Sequence, residues 1–362
     1  MLELYTYSLP FKHTFITGAG SFKYREGLLI RYYDQHLDIV SEVAPLPGFS
    51  TETLKEAKED LIIKIPAANQ FLSSTFTPES LSKWLKSQHS LPSVEFGLSS
   101  LGLSILSARH HTPIHELMQV TPSASASVKM NAVIGSLNES EFLSAADDHI
   151  SRGFNVLKCK VTSSPEHLPV SIRKIAARHP SVSFRLDANR SWKLENLAEL
   201  SAQFTGLPVE YIEEPCRITS VDELNTVISR CILPVAADES LSELGLLNVI
   251  EHAENNPYLI IKPMLLGNLT ELFATIGPHF HLDNKVIVTT ALESAVGTRT
   301  VAAVAALAGS KSSAHGLNTG SLFRRNLASE NLISNGTFRF NDDFKCWFSF
   351  DEIDQSLITP VQ

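Results

Sequence analysis

The sequence predicts an α/β protein in which a (β/α)-barrel, of the modified TIM-barrel kind, stands behind an α+β N-terminal capping domain. Three observations predict it. From Val128 onward, short apolar strands alternate with amphipathic helices, the pattern of parallel βαβ units. Seven or eight such units follow one another in about 200 residues, enough to close a barrel, with room for one irregular unit. The residues before them lack that rhythm and read as an antiparallel meander followed by helices.

In chain order, segments 3–9, 27–33 and 37–44 are rich in Tyr, Leu, Ile and Val between turn residues, hence the meander. Thr51–Ile62 and Pro78–Ser87 read as helices with charged outer faces, and Val94–His110 as a longer helix containing small residues. The Ser/Ala-rich stretch Thr121–Ser127 marks a boundary. Candidate barrel strands are Met130–Ile134, Val156–Val161, Ser183–Asp187, Tyr211–Glu213, Val235–Asp238, Leu259–Lys262 and Val286–Thr290, with a weak one near Ser313–Gly316. Between them, Leu168, Ile172, Ile175 and Ala176 share one helical face, as do Leu194, Leu197, Leu200 and Phe204. Ser220 with Glu223 opens the next helix as a capping box. The segment Thr337–Phe350 alternates again and is expected to fold back onto the first domain. The expected division is therefore a cap of 1–125, joined by the tail 325–362, and a barrel of 126–324.

Composition narrows the function classes. Of 362 residues, 43% are apolar and 19% charged, which is globular rather than disordered usage. Thirty Lys and Arg against 39 Asp and Glu leave a net charge of −9, so no broad nucleic-acid surface is expected. An anionic ligand must be met by a few placed cations or a metal. The N-terminus has no basic and apolar leader pattern, and Val301–Gly309 falls far short of the ~20 residues that span a bilayer. Cys159, Cys216, Cys231 and Cys346 form no CxxC pair, which fits a reduced, cytoplasmic compartment. The expected partner is a small molecule, not nucleic acid or membrane; a homo-oligomer is compatible with the sequence and not required by it.

In a barrel of this kind, the active groups sit at the C-terminal strand ends. Successive strands here end on Lys158-Cys159-Lys160, Asp187-Ala188-Asn189, Glu213-Glu214-Pro215, Asp238-Glu239-Ser240 and Lys262-Pro263. From Lys160 to Lys262 the spacings are 27, 26, 25 and 24 residues, each about one βα unit. Three carboxylates from neighbouring strands would repel unless a cation lay between them, and hard oxygen ligands favour Mg²⁺ over Zn²⁺. Lys158 and Lys160, two apart on a strand, point the same way, so Lys158 is expected to depress the pKa of Lys160 and to hold an anionic group. Taken singly, each acid is better explained as a helix N-cap and each lysine as a solvated charge. That bland explanation would have to hold five times in register.

This run of Lys-x-Lys, Asp-x-Asn, Glu-Glu-Pro, Asp-Glu-Ser and Lys-Pro resembles the enolase superfamily, in its muconate-lactonizing-enzyme-like branch, from the N-terminal domain to at least Gly320. Within the branch, Ser41–Glu52 (SEVAPLPGFSTE), Arg185–Trp192 (RLDANRSW), Tyr211–Cys216 (YIEEPC), Ile261–Asn268 (IKPMLLGN), Thr289–Gly297 (TTALESAVG) and His315–Gly320 (HGLNTG) are similar to the dehydratases that form 2-succinylbenzoate for menaquinone. The resemblance implies a lyase that removes water, syn, from 2-succinyl-6-hydroxy-2,4-cyclohexadiene-1-carboxylate, a dianion. It implies Asp187, Glu213 and Asp238 as ligands of Mg²⁺, with Mn²⁺ able to substitute. Lys160 would be the base and Lys262 the cation on the opposite face of the enediolate. Lys158, Asn189, Arg185, Ser50, Thr289, Thr290 and Gly316 are the expected substrate contacts, and Glu239 and Glu293 acids that support them. For Arg185 and Asn189, hydrogen bonding behind the site is an equal alternative; for the Pro47–Ser50 loop, expected as a lid, the alternative is a plain connection with Ser50 or Thr51 as an N-cap. The rival chemistry of the same branch is racemisation of N-acylamino acids or epimerisation of dipeptides, with both lysines as bases. His111 and His115 have metal-ligand spacing, but Pro113 between them breaks the helix. Cys159 faces away from the lysines and reads as packing.

Overall fold

Alternating apolar residues in the first 45 positions build an antiparallel sheet. In a computed structural model, which describes residues 1–17, 20–120, 127–135, 138–165, 167–277, 285–310, 312–329, 333–340 and 345–361, β1 (Leu2–Thr17) pairs with β2 (Gly20–Tyr33), and β2 with β3 (Asp38–Val43). The β1–β2 register runs from Leu2↔Tyr32 to Pro10↔Tyr24, slips, and resumes at Phe15↔Phe22. The hairpin is longer than expected because its outer arm carries exposed polar residues such as Lys12 and His13, which leave no apolar alternation to read.

Helix α1 (Leu54–Ser73) starts at Thr53, whose side chain and that of Glu56 form a reciprocal capping box, so neither Ser50 nor Thr51 is the N-cap. It also runs past Ile62 and through Pro66, because Ala57, Leu61, Ala68 and Leu72 keep one buried stripe. Helices α2 (Pro78–Gln88) and α3 (Pro92–His110) both begin with Pro in the first turn. Helices α1 and α3 pack on the antiparallel sheet, and α2 packs on α3. Helix α3 is buried on every side from Phe96 to Ser107, the mark of a helix sandwiched between layers. At Gly97 a β-carbon would lie 2.4 Å from Val43, so glycine lets β3 pack onto the helix. A short α4 (Ile114–Leu117) follows. His111 ends α3 and His115 sits in α4, so the two belong to different helices. The boundary expected at Thr121–Ser127 falls, up to residue 126, outside the described residues.

The rest is built of parallel units. After β4 (Ser127–Lys129), the strands β5 (Ala132–Ile134), β6 (Val156–Lys160), β7 (Ser183–Asp187), β8 (Val209–Glu213), β9 (Val235–Ala237), β10 (Tyr258–Ile261) and β11 (Val286–Val288) form one parallel sheet in sequential order. The eighth position, expected near Ser313–Gly316, is no regular strand. Its two residues His315 and Gly316 nevertheless pair with Met130 and Thr289 and so bridge the sheet's edges. The His315 ring helps to close the sheet. Its Nδ1 accepts the Val288 N–H at 3.0 Å while Nε2 faces the Ser310 carbonyl at 3.1 Å. Burial holds this imidazole down, to about 4, so it is neutral and Nε2 carries the proton.

Around the strands lie α5 (Glu139–Ser151), α6 (Leu168–Arg178), α7 (Leu197–Ala202), α8 (Val221–Arg230), α9 (Glu239–Leu244), α10 (Leu246–His252), α11 (Pro263–Leu266), α12 (Leu269–Ile276) and α13 (Ala295–Ala308). Helix α7 is shorter than expected: Leu194 begins a 3₁₀ turn and Phe204 lies beyond its end, although buried. The capping box at α8 is half realised, since Ser220 caps Glu223 N–H but the Glu223 carboxylate takes the Thr219 N–H at 2.7 Å. In the tail, β12 (Ile333–Ser334) pairs with β13 (Thr337–Arg339), which joins β4, while β14 (Ile358–Pro360) joins β1 and Phe348 pairs with Val40. Phe348 and β14 thus fold back onto the N-terminal sheet as expected, whereas Thr337–Arg339 forms a small three-stranded sheet with β12 and β4, apart from the parallel one; residues 341–344 of the expected alternation lie outside the described ones. Among the described residues, no helix is long and apolar enough to cross a membrane.

Candidate active site

The parallel register places charged residues side by side. Lys160 at the end of β6 is level with Asp187 at the end of β7, and Asp187 with Glu213 at the end of β8. Asp238 and Lys262 follow the last residues of β9 and β10 directly. Asp187, Glu213 and Asp238 are 6%, 2% and 4% exposed, so three acids share one nearly dry rim.

Buried carboxylates at this density demand positive charge. The structure meets the demand with lysines. Lys158 Nζ bonds Glu213 Oε2 and lies 3.0 Å from Asp187 Oδ2. Lys262 Nζ grips both oxygens of Asp238, one of them at 2.6 Å. Lys160 donates to Asn189 Oδ1, while the Asn189 N–H donates to Asp187 Oδ1 at 3.2 Å. Burial lifts Glu213 to about 7, Lys158 opposing and Asp187 and Asp238 reinforcing the rise. Burial also pushes Asp187 upward, but Lys158, Lys160 and Lys262 outweigh it and hold this carboxyl below its ordinary value. Lys158 and Lys262 resist their own desolvation and stay above the ordinary lysine value because of these acids. Lys158, expected as a substrate contact, is bonded here to two of the protein's own carboxylates.

As the side chains stand, no three acidic, His or Cys groups among the described residues converge on one point; each acid is turned onto an ammonium group. The donor set still fits a hard cation: three nearly dry carboxylates on adjacent strands, one of them held up at about 7, in a place already filled by positive charge.

Several expected contacts are placed elsewhere. Arg185 is fully buried inside the barrel, with Nε 2.7 Å from Glu210, Nη1 2.7 Å from the Ala314 carbonyl, and its guanidinium 5.0 Å from the Tyr211 ring centre. It braces the interior below the rim rather than facing a ligand, because it lies two residues before Asp187 on the inward side. Ser50 Oγ accepts the Leu46 N–H at 2.8 Å and so closes its own turn. Thr289 and Thr290 hydroxyls both donate to the Gly316 carbonyl at 3.1 Å, and the Gly316 N–H bonds the Val288 carbonyl at 2.9 Å. These donors belong to the barrel seam, so a carboxylate contact through them is not what this arrangement offers. Cys159 is buried with its thiol raised by that burial. Of the two supporting acids, Glu239 leaves Oε2 buried without a partner beside Asp238 and Lys262. Glu293 belongs to the junction with the N-terminal sheet, close to Glu42.

Glu214 had no role of its own in the sequence reading, and Phe49 only a place in the expected lid loop. Glu214, next to Glu213 and so facing the other way, accepts the Asp238 N–H at 3.0 Å, the Ser240 N–H at 3.1 Å and the Ser240 hydroxyl at 2.8 Å. It also pairs with Arg190 at 3.0 Å. It fixes where Asp238 starts, and its burial lifts it to about 7. Phe49 places its ring centre 5.2 Å from Lys262 Nζ. The available signals were the doubled acid before Pro215 and the aromatic residue inside a Pro-Gly turn.

Comparisons with known proteins show what the chain is similar to as a whole. The model of the family described as enolase C-terminal domain-like matches residues 141–344, and that described as MenC, N-terminal domain matches residues 1–104. An o-succinylbenzoate synthase of Aliivibrio fischeri is 28% identical over 90% of this chain and 92% of its own length. That of Haemophilus influenzae is 27% identical over 84% and 85%. Among solved structures, a probable mandelate racemase from Alicyclobacillus acidocaldarius superposes with a TM-score of 0.82 at 20% identity, covering 98% of this chain and 94% of that one. A dipeptide epimerase from Enterococcus faecalis, complexed with Mg and L-Leu-L-Tyr, gives 0.80 at 15% identity, covering 98% and 99%. These structures share the fold.

Proposed function

The chain belongs to the enolase C-terminal domain-like family, and on that premise we propose that it is an o-succinylbenzoate synthase. It is a carbon–oxygen lyase that dehydrates 2-succinyl-6-hydroxy-2,4-cyclohexadiene-1-carboxylate to 2-succinylbenzoate in menaquinone biosynthesis. The observation that carries dehydration over epimerisation is the likeness to these synthases across the N-terminal sheet as well as the barrel. The rim alone is common to both chemistries.

Roles follow from the rim. Lys160 removes the proton α to the ring carboxylate. As the ring C–O bond breaks and the ring becomes aromatic, the same ammonium returns that proton to the departing hydroxyl, which leaves as water. One base suffices because both groups leave from one face. Asn189 orients the Lys160 amine, to which it is bonded. Lys262 stays protonated on the opposite face and stabilises the charge that develops on the carboxylate. Asp187, Glu213 and Asp238 would hold a divalent cation, Mg²⁺ or in its place Mn²⁺, which supplies Lewis acidity to the substrate carboxylate when bound. Lys158 neutralises Asp187 and Glu213, so that the pocket accepts a dianion in a chain of net charge −9.

The test is formation of 2-succinylbenzoate, followed by its absorbance, with and without Mg²⁺, beside an assay of dipeptide epimerisation. Mg²⁺-dependent product supports the reading. Efficient inversion of dipeptides with no dehydration overturns it in favour of an epimerase.

A further inference from the structure

Arg25 on β2 is only 4% exposed, yet among the described residues no carboxylate is bonded to its guanidinium. Among the described residues, its guanidinium bonds five backbone carbonyls. Two of these lie in the segment that leads into the Pro47–Ser50 turn: Pro45 at 2.8 Å from Nη1, and Ala44, bonded to Nη2. Two lie beyond β11: Leu292 at 2.9 Å from Nε and Ala291 at 3.3 Å from Nη2. The fifth, Glu26 at 3.0 Å, is its chain neighbour. One planar cation therefore joins two segments that have no regular pairing with each other. A guanidinium offers five donors in a fixed fork and suits this task; an ammonium cannot span it.

The two segments matter at the rim. The first carries Phe49 over Lys262. The second follows Thr289 and Thr290 at the barrel seam, and its Leu292 has φ +62°, a left-handed conformation that is costly for leucine. Such a conformation persists where surrounding bonds hold it, and Arg25 bonds the Leu292 carbonyl. Glu42, on the adjacent strand β3, secures the same stretch from the other side by accepting the Ser294 N–H at 2.9 Å and the Gly297 N–H at 2.7 Å.

We propose that Arg25 is a positioning residue that locks the segment bearing Phe49 to the 291–292 turn, and so sets how the cap closes over Lys262. The inference rests on the reading of this rim as the active site. Its role is in substrate retention, acting through Phe49, and not in proton transfer.

The experiment compares Arg25→Lys, Phe49→Ala and the double variant with the unmodified enzyme. Steady-state kinetics on the cyclohexadiene carboxylate are combined with hydrogen exchange of peptides covering 44–50 and 289–292. Arg25→Lys is expected to raise KM about 10-fold with kcat changed less than about 3-fold, and to speed exchange in both peptides. In the Phe49→Ala background, the same substitution should change kcat/KM by less than about 2-fold, since its target is gone. Independent, multiplying effects of the two substitutions overturn the proposal, as does unchanged exchange over 44–50. Should Arg25→Lys fail to fold, Arg25→Gln supplemented with millimolar methylguanidine takes its place: recovery of KM supports the clamp, and no recovery in a folded variant overturns it. Absence of turnover by the unmodified protein overturns the functional reading instead, and the exchange data then decide the clamp alone.

Discussion

The ring of Phe49, in the turn after the third strand of the N-terminal sheet, lies 5.2 Å from the ammonium of Lys262 at the end of a barrel strand. A turn that follows the N-terminal sheet thus covers a lysine at the barrel rim, and Lys262 at the same time grips Asp238. Covering the ammonium excludes water and strengthens its attraction for a carboxylate.

Replacement of Phe49 by Ala removes that cover. A cation–π contact is worth about 0.5–2 kcal/mol, so kcat/KM is expected to fall about 3- to 30-fold, in steady-state assays, with little change in melting temperature.

Replacement of Lys160 by Ala removes the proposed base. Turnover should fall by at least about 10²-fold, since positioned proton transfer contributes on that scale. Titration calorimetry with Mg²⁺ should show binding retained, because Lys160 is bonded to Asn189 and to none of the three acids.

Removal of divalent cations with a chelator should abolish turnover and lower the melting temperature. Saturation at about 100 times Kd stabilises the folded state by about 2.7 kcal/mol, which differential scanning calorimetry resolves. Equal melting temperatures with and without Mg²⁺ would count against Asp187, Glu213 and Asp238 as ligands.

Burial first, and then Glu42, raises the Glu293 carboxyl to about 7 from an ordinary 4.5. Between those values the folded state holds a proton that the unfolded chain has released. Stability from this group therefore falls as pH rises from about 4.5 to 7 and then levels off. Glu293→Gln is expected to flatten that part of the profile and to raise the melting temperature at pH 8 by a few degrees relative to the parent. Parallel melting curves across this range would contradict it.

Gly316 sits against Thr289, where an added β-carbon would meet the threonine Oγ1 at 2.1 Å and its Cβ at 2.7 Å. Gly316→Ala should therefore destabilise the seam by about 1–3 kcal/mol in urea unfolding, and Thr289→Ala in the same chain should restore part of it.

The strand ends were legible because their signal is local. Ser183–Asp187 has the bounds read from its apolar run, and the unit spacing brought Lys160, Asp187 and Glu213 level in the sheet. The long hairpin was not legible, since its outer arm is exposed and carries no alternation. Nor was the lower position of Arg185: alternation on a strand says which side a residue faces, not how far below the rim its partner lies, and Glu210 and Ala314 decide that here. Thr289 and Thr290 misled for a related reason. Hydroxyls at a strand end look free until the neighbouring segment that takes their protons is known.

The residues by themselves determined the order and period of the elements, and with them the recurrence of Lys, Asp, Glu, Asp and Lys along one rim. Hydrophobic periodicity and strand alternation are properties of near neighbours, so they are written in consecutive residues. Only the tertiary structure decided which cation neutralises which acid, that Phe49 covers Lys262, and that Arg25 is bonded to Leu292, 267 positions away. Those outcomes depend on burial and on donors and acceptors brought together by the closed barrel and its cap. No local spacing encodes them.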